Sequence, residues 1–290
     1  SAGAVVRFAN ELQNVGVLTI NSGVGSVVDL QGDVSCAQVR FMGSGLLDVR
    51  GVLTFSDGTN YGFLWQADRV TARFHGGNLF RASLAARDGA PMRLETGTLD
   101  LNGFDQRACC FAGLAGTVVT SAVPAKVTIT ACSFDTTYDT YAVAYRGEAG
   151  LRYEPTSGKG RTTTFVNLFS DTMGQLDVAK ETLVFADGAG WGGTNVSIRA
   201  GATLQVEATS AATAFKPAGK ATGRTDLVIE QGGTLNLVGT DDVVCRSLVY
   251  DGDPVAPGRY TQSSSVGVAG AGTLVVRKLP GKHGLSLIVR

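Results

Sequence analysis

The stretch GTLDLNGFDQ (97–106) contains the pattern that decides the fold. Leu99 and Leu101 alternate with polar residues, so in a strand both leucines point to one side and Asp100 points to the other. Glycines stand before and after this alternation, where the absence of a Cβ lets the chain bend sharply. The stretch therefore predicts a short strand with one buried face, flanked by tight turns.

The same pattern of a turn residue followed by alternating aliphatics returns along the chain. The interval from Leu18 to Leu47 is 29 residues, and the interval from Leu204 to Leu235 is 31 residues. Such a loose period predicts a solenoid, because one turn cannot bury its apolar side alone and stacked turns can. The related stretches are VGVLTI (15–20), SGLLDV (44–49), GVLTF (51–55), MGQLDV (173–178), AGATLQV (200–206), GGTLNL (232–237) and AGTLVV (271–276).

The sequence therefore predicts an all-β fold, a single right-handed parallel β-helix over residues 1–279 with short loops and few or no helices. Residues 280–290 are predicted to form a C-terminal tail, and AVVRFAN (4–10) is a candidate cap for the first turn. One short helix is expected over 77–89. A β-sandwich is the alternative, since it also uses many short alternating strands.

Composition excludes several classes of protein. Apolar residues make up 44% of the chain and glycines number 39, which fits a folded protein rich in turns. Cationic and anionic residues number 25 each, so no basic surface for nucleic acid is expected. No apolar stretch reaches the roughly 18 residues that could span a bilayer, so no transmembrane segment is expected.

Three longer segments resemble the autotransporter-associated β-helical repeats of bacterial passenger-type surface proteins. Residues 97–129 resemble the recurrent unit, and residues 171–206 resemble its repeat core, although KETLVF (180–185) lacks the glycine expected before Thr-Leu. Residues 245–276 resemble the closing unit, with a Pro-Gly-x-Tyr-Thr turn before a final GTL strand. The resemblance implies a right-handed parallel β-helix that is exported and displayed outside the cell, and it implies no reaction.

A segment rich in tyrosine, residues 134–155, is the candidate ligand-binding site. Aromatic faces beside hydrogen-bonding groups suit sugar rings, and Tyr141 and Tyr145 alternate in a predicted strand. If that side of the strand points outward, it predicts a glycan-binding or host-ligand surface, and if it points inward, it belongs to the core. The candidate residues are Tyr138, Tyr141, Tyr145, Arg146 and Tyr153.

Carboxylates offer the alternative, enzymatic function. Polysaccharide lyases and glycoside hydrolases of the β-helix type gather acids on one lateral face, and two acidic pairs are candidates for such a site. The second pair could also hold calcium, although aspartates in solvated turns are the favoured interpretation of both pairs. These pairs are Asp241 with Asp242 and Asp251 with Asp253.

The cysteines and the loops complete the sequence-based predictions. Cys36 and Cys245 stand among aliphatics and are expected to be buried and inert. Cys132 follows Cys110 by 22 residues, so if one turn has about that length, Cys132 is expected to stack over Cys109 or Cys110, either as a disulfide or in a ladder of small side chains. Residues 208–224 are predicted to form a protruding loop. No metal site, cofactor or catalytic residue is predicted.

The function predicted from these observations is that of a secreted or surface-displayed, non-enzymatic scaffold with a possible adhesive or glycan-binding face. The predicted location is extracellular or on a bacterial cell surface. A plain structural spacer without a ligand remains the third alternative.

Overall fold

The secondary structure is almost entirely β in the computed structural model, which describes residues 3–55, 63–65, 70–82, 90–94, 96–113, 116–130, 140–155, 162–166, 169–216 and 224–278. Within these residues only two 3-10 helices of three residues each are present, Ala208–Ser210 and Gln262–Ser264. Strands from successive turns pair in parallel and form a β-solenoid. The predicted all-β solenoid class is confirmed, and parallel pairing excludes the antiparallel sandwich.

The chain divides into two compact units, Ser1–Ser157 (unit 1) and Gly158–Arg290 (unit 2). A single domain over 1–279 stays a prediction, and the predicted tail over 280–290 lies outside the described residues. The strands of unit 1 are β1 (Val5–Phe8), β2 (Leu12–Ser22), β3 (Val27–Leu30), β4 (Val34–Gly43), β5 (Leu46–Val49), β6 (Leu53–Phe55), β7 (Phe63–Trp65), β8 (Thr71–Phe74), β9 (Phe80–Ala82), β10 (Ala90–Leu94), β11 (Gly97–Asp100), β12 (Gln106–Gly113), β13 (Thr117–Ile129), β14 (Thr140–Tyr141) and β15 (Val143–Tyr153).

Stack A of unit 1 consists of β1, β3, β5, β8, β11 and the first parts of β13 and β15, each paired in parallel with the next. One inward position of every turn lies in a single row along this stack. Its members from the third turn onward are fully buried, so the core is a continuous column of aliphatic and aromatic side chains. The row is Val6, Val28, Leu47, Ala72, Leu99, Val119 and Tyr145.

Two further stacks complete unit 1. Stack B joins the beginnings of β2 and β4 to β6 and β9. It also contains the beginning of β12, which pairs with the end of β13, and the end of β15, which pairs with the end of β13 on the other side. Stack C joins the ends of β2 and β4 to β7, β10 and the end of β12. Each turn thus bends between its stacks. Some bends lie inside a continuous strand, as in β2, β4 and β13, and others lie between strands, as at Gly51 between β5 and β6.

The repeat length inferred from the sequence compared leucines that lie in two different stacks. Leu18 pairs with Val39 in stack C, whereas Leu47 pairs with Val28 in stack A, so their interval does not measure one turn. Alternation identifies a strand with a buried side, but every side of a solenoid presents the same alternation. The true partners of Leu47 lie closer in sequence than the 29 residues that were measured to Leu18.

Unit 2 has the same construction. Its longest parallel stacks join β18, β21, β23 and β26, and separately β16, β19, β22, β24 and β29. The strands are β16 (Thr162–Val166), β17 (Phe169–Thr172), β18 (Leu176–Val178), β19 (Thr182–Ala186), β20 (Gly190–Trp191), β21 (Asn195–Ile198), β22 (Thr203–Val206), β23 (Asp226–Ile229), β24 (Thr234–Leu237), β25 (Asp242–Cys245), β26 (Ser247–Tyr250), β27 (Asp253–Val255), β28 (Gly258–Tyr260), β29 (Val268–Gly270) and β30 (Thr273–Val276).

Antiparallel strands close two edges of unit 2. β27 pairs antiparallel with β26, and β28 pairs antiparallel with β30, whose other edge pairs in parallel with β25. Both antiparallel strands belong to the segment 245–276 that resembles a closing unit. They cover strand edges that would otherwise expose unpaired backbone groups.

Two local predictions are corrected by the structure. The short helix expected over 77–89 is wrong where the chain is described, because Phe80–Ala82 forms β9 and pairs with β6. Of the loop predicted over 208–224, residues 208–216 pack against their neighbours, since Phe215 is buried and the backbone N–H of Trp191 donates to the carbonyl of Ala214. Residues 217–223 lie outside the described residues. Among the described residues, no helix is long and apolar enough to cross a membrane.

Candidate functional site

Polar corners follow β3, β5, β8 and β11 of stack A, and the stretch 97–106 illustrates how one forms. Asp100 points outward and Leu101 is fully buried, after which Asn102 and Gly103 adopt positive φ angles of 49° and 84°. The side-chain amide of Asn102 donates to the carbonyl of Phe74 in the preceding turn at 2.9 Å. The residue after the last buried aliphatic is thus placed where it can bond to the neighbouring turn.

Charged side chains occupy one outward position along stack A, and we call this set the charged row. Its ion pairs join neighbouring turns: Arg73 Nε donates to Asp100 Oδ2 at 2.9 Å. His75, at the corner after β8, places Nε2 2.8 Å from Asp48 Oδ1. The charged row consists of Arg7, Asp29, Asp48, Arg73, Asp100 and Arg146, with the uncharged Thr120 between the last two.

Asp29 is the most enclosed carboxylate of the charged row. Its Oδ1 accepts from Arg50 Nε at 2.9 Å, and its Oδ2 accepts from Gln31 Nε2 at 2.8 Å. Burial acts to raise the pKa of Asp29, but these hydrogen bonds and the charges of Arg50 and Arg7 outweigh it and hold the pKa below its ordinary value. Asp29 is therefore an ionised structural anchor at neutral pH.

Unit 2 repeats this arrangement around Arg199, which follows β21. Its Nε donates to Asp177 Oδ1 at 2.8 Å and its Nη1 donates to Glu230 Oε1 at 2.7 Å, so one guanidinium joins three turns. The hydrogen bond with Asp177 is the main cause that raises the pKa of Arg199, against the opposing effect of burial. Arg246 likewise donates to Asp226, which also accepts from the Ser247 hydroxyl.

A buried amide that sequence reasoning missed supports the same corner of unit 1. Gln106 is fully buried; its Oε1 accepts from the backbone N–H of Leu79 at 3.0 Å and its Nε2 donates to the carbonyl of Gly76 at 2.8 Å. The amide satisfies backbone groups that the bend leaves without strand partners. The only signal for this role in the sequence was the position of Gln106, a polar residue at the first position of β12, directly after a turn.

Two of the five residues of the predicted binding site lie in the core. Tyr145 and Tyr153 have no exposed surface, and both lie in inward rows of β15. The pattern indicated correctly that alternate residues share a side, but that side faces the core, where an aromatic ring fills the column. Arg146 is exposed, Tyr141 lies in β14, and Tyr138 lies outside the described residues.

The candidate acidic pairs lie at exposed turns of unit 2. Asp242 accepts a bidentate ion pair from Arg259, at 2.7 and 2.6 Å. Asp251 has a φ angle of 51°, as expected of an aspartate in a tight turn, and Asp241 and Asp253 are exposed. Within the described ranges, no three His, Cys, Asp or Glu residues are grouped so that they could hold a metal ion.

Two cysteine predictions are confirmed and one lies outside the described residues. Cys36 and Cys245 are buried free thiols. Burial raises the pKa of the Cys36 thiol to about 11, and burial together with the nearby Asp226 charge raises that of Cys245 to about 12, so both remain protonated and unreactive near neutral pH. Cys132 and the side chains of the adjacent pair 109–110 are not described.

The polar side chains described above thus form ion pairs and hydrogen bonds between neighbouring turns. The carboxylates Asp29, Asp100, Asp177 and Asp226 are each held by an arginine from a neighbouring turn, and Asp48 is held by the imidazole of His75. Such pairing suits stabilisation of the stack better than proton transfer to a substrate. Comparison with known protein families, with curated proteins and with solved structures gave no match.

Proposed function

We propose that this chain is a non-enzymatic β-solenoid scaffold that is displayed at a bacterial cell surface or secreted. The observation that supports the scaffold role best is that charged side chains form ion pairs with side chains of neighbouring turns. Arg199 joins three turns of unit 2, and in unit 1 Asp29 is held by Arg50 from the following turn. These pairs couple adjacent turns within each unit.

Surface display is supported by the resemblance of residues 97–129, 171–206 and 245–276 to autotransporter-associated repeats. The antiparallel strands β27 and β28 of the last of these segments fit the role of a closing unit, since they cover the edges of β26 and β30. This part of the proposal rests on sequence resemblance and on that agreement alone.

The enzymatic alternative receives no specific support. Polysaccharide-cleaving sites need an acid whose proton affinity is tuned by burial or by a close partner. The candidate carboxylates Asp241, Asp251 and Asp253 are instead exposed at turns, and Asp242 is neutralised by Arg259. A glycan site lined by Tyr145 and Tyr153 is not part of the proposal, because both rings lie inside the core.

Surface display is tested on the cells that produce the protein. Antibodies raised against the purified chain should label intact cells, and brief protease treatment of intact cells should remove that label. Labelling that requires permeabilised cells would contradict surface display, and secretion would be recognised by recovery of the chain from the culture medium.

The non-enzymatic role is tested with the purified chain against a panel of acidic and neutral polysaccharides. We expect no new reducing ends and no unsaturated products. Cleavage that is lost in an Asp241→Asn, Asp242→Asn double variant, and retained in an Asp187→Asn control at another exposed turn, would overturn the proposal.

A further inference from the structure

The turn after β11 contains an Asn-Gly pair, Asn102 and Gly103, whose residue types the fold favours. Both residues have positive φ angles, and the backbone N–H of Phe104 donates to the carbonyl of Leu101 at 2.8 Å, which closes the turn. Two successive positive φ angles favour asparagine followed by glycine. A Cβ at Gly103 would also lie 2.6 Å from Cγ2 of Val123, so this position has little room for a side chain.

Asn-Gly is also a chemically labile sequence, because glycine places no side chain beside its own backbone nitrogen. That nitrogen attacks Cγ of the asparagine: the N–Cγ bond forms as the amide proton passes to solvent, and the Cγ–Nδ2 bond breaks as ammonia leaves. Water then opens the cyclic imide at either carbonyl and gives aspartate or isoaspartate. The sequence Asn-Gly occurs once in this chain, at 102–103.

The fold holds the two reacting groups apart, because each is bonded to a different neighbouring turn. The side-chain Nδ2 of Asn102 donates to the carbonyl of Phe74 in the preceding turn at 2.9 Å. The backbone N–H of Gly103 donates to Oγ of Ser121 in the following turn at 3.0 Å. The carboxamide and the attacking nitrogen are thus directed to opposite sides, and the attack requires that this corner open.

Ser121 is a fixed acceptor for the N–H of Gly103. Its exposed fraction is 1%, and its hydroxyl donates to the carbonyl of Val123 at 2.6 Å, which leaves its oxygen free to accept. Asn102 is exposed, so water reaches its side chain in the folded chain. Geometry, rather than access of water, therefore limits the reaction.

We propose that Asn102 is a deamidation site whose reaction is coupled to the opening of this corner, and that its product weakens the contact between the turns of β8 and β11. A carboxylate at position 102 cannot donate to the carbonyl of Phe74. It also adds a negative charge beside Asp100, whose Oδ1 accepts from the backbone N–H of Asn102 at 3.0 Å. Isoaspartate in addition inserts its Cβ into the main chain. The proposal goes beyond the scaffold role and does not depend on it.

Incubation of the whole chain at mildly alkaline pH tests the coupling, with and without a denaturing concentration of guanidinium chloride. Peptide mass spectrometry measures the conversion of Asn102 and separates aspartate from isoaspartate. We expect conversion in the folded chain to be slower by about tenfold or more, because it proceeds only in the fraction of molecules in which the corner is open. Equal rates in the two conditions would overturn the proposal.

Two variants separate local opening from general unfolding. Ser121→Ala should speed conversion of Asn102 in the folded chain by about two- to tenfold, the range for one hydrogen bond, and should have no effect in denaturant. Val39→Ala, which removes buried side-chain volume in stack C of the same unit, should leave the rate in the folded chain unchanged. Circular dichroism checks the fold of both variants. No effect of Ser121→Ala, or an equal effect of both variants, would contradict coupling to this corner.

Hydrogen exchange of the Gly103 amide tests the coupling in the original chain, without any substitution. Its rate should rise in parallel with the deamidation rate as low concentrations of urea are added, because both reactions need the same opening. Exchange that rises while deamidation does not would overturn the proposal.

Asn102→Asp reproduces one product and tests its effect on the stack. It should lower the urea midpoint and speed exchange of the Gly103 amide. Asn195→Asp is the control, since the side-chain amide of Asn195 donates to the adjacent Thr194, and it should change neither quantity. An unchanged midpoint and unchanged exchange in Asn102→Asp would refute the proposed effect of the product.

Discussion

At the scale of single residues, the function of the charged side chains depends on which turn supplies the partner. Arg50 and Asp29 are 21 positions apart in sequence, and in the fold Arg50 Nε donates to Asp29 Oδ1 at 2.9 Å. Nothing in either local sequence identifies the other residue, because the pairing is created by the parallel register of β3 and β5. Residues that suggest catalysis when considered singly become structural when that register is known.

The pH dependence of Asp29 follows from its lowered pKa. Because the folded-state pKa lies below the ordinary value, the stabilisation is complete above that ordinary value and is lost as the pH falls through the lower folded pKa. Asp29→Asn should lower the free energy of unfolding by about 1–3 kcal/mol at pH 7, since it weakens the bonds to Arg50 and Gln31.

Urea denaturation at pH 7 and pH 3 measures this effect, and the difference between the original chain and Asp29→Asn should shrink at the lower pH. Asp253→Asn, at an exposed turn, serves as the control and should change the free energy by no more than about 0.5 kcal/mol. An equal loss from Asp29→Asn at both pH values would contradict the assigned role.

Tyr145 is predicted to stabilise the core and to contribute nothing to a lateral binding face. Tyr145→Ala should lower the free energy of unfolding by about 3–5 kcal/mol, as large-to-small replacements of buried aromatic residues do. Arg146→Ala, one position away and exposed, should change it by at most about 0.5 kcal/mol. Urea denaturation of both variants decides, and a stable Tyr145→Ala variant would place the ring outside the core.

At the scale of strands and turns, the alternation in residues 97–106 was enough to predict a strand with one buried side. Leu99 is fully buried, and Asp100 points outward to Arg73. The same alternation did not reveal which stack a strand joins, and for that reason Leu18 and Leu47 were compared although they lie in different stacks. Stack membership depends on the lengths of the turns, which vary along the chain.

The candidate site was predicted less well than the fold. Alternation placed Tyr145 on one side of its strand together with Val143, and both are fully buried. A tyrosine suits a core and a binding face equally, so composition could not choose between them. The choice is made by the register of β13 and β15, in which Val119, itself buried, is the partner of Tyr145.

At Gly147 the backbone of β15 lies very close to the backbone of the preceding turn at Ser121. Gly147 has a φ of 64°, and a Cβ there would lie 2.3 Å from the carbonyl oxygen of Ser121. Gly147→Ala should therefore combine left-handed backbone strain with a clash and lower the free energy of unfolding by about 2–4 kcal/mol.

Gly201→Ala is the matched control, because Gly201 has a φ of 75° and open space around the position of a Cβ. Its free energy of unfolding should fall by only about 1–2 kcal/mol, the cost of placing alanine in a left-handed backbone conformation. Thermal or urea denaturation compares the two variants. Equal losses would indicate that the contact between β13 and β15 is looser than described.

At the scale of the whole molecule, the parallel stacking of successive turns determines the fold. Turns with no self-sufficient core become stable because each covers its neighbour, and the buried columns around Leu99 in unit 1 and Leu204 in unit 2 are the result. The ion pairs between turns, such as Arg50 with Asp29 and Arg199 with Asp177, add to the stability of the stack. The proposed scaffold function follows from this arrangement.

The most direct test measures distances along stack A by pulsed electron resonance, with spin labels attached through a non-native reactive amino acid. One label replaces Val5, and the second replaces Thr98, Val118 or Ala144, which lie in the same outward row four, five and six turns away. Parallel stacking predicts distances of about 19, 24 and 29 Å, an increase of one strand spacing per turn. Distances that fail to increase by about 5 Å from one pair to the next would contradict the stacked solenoid.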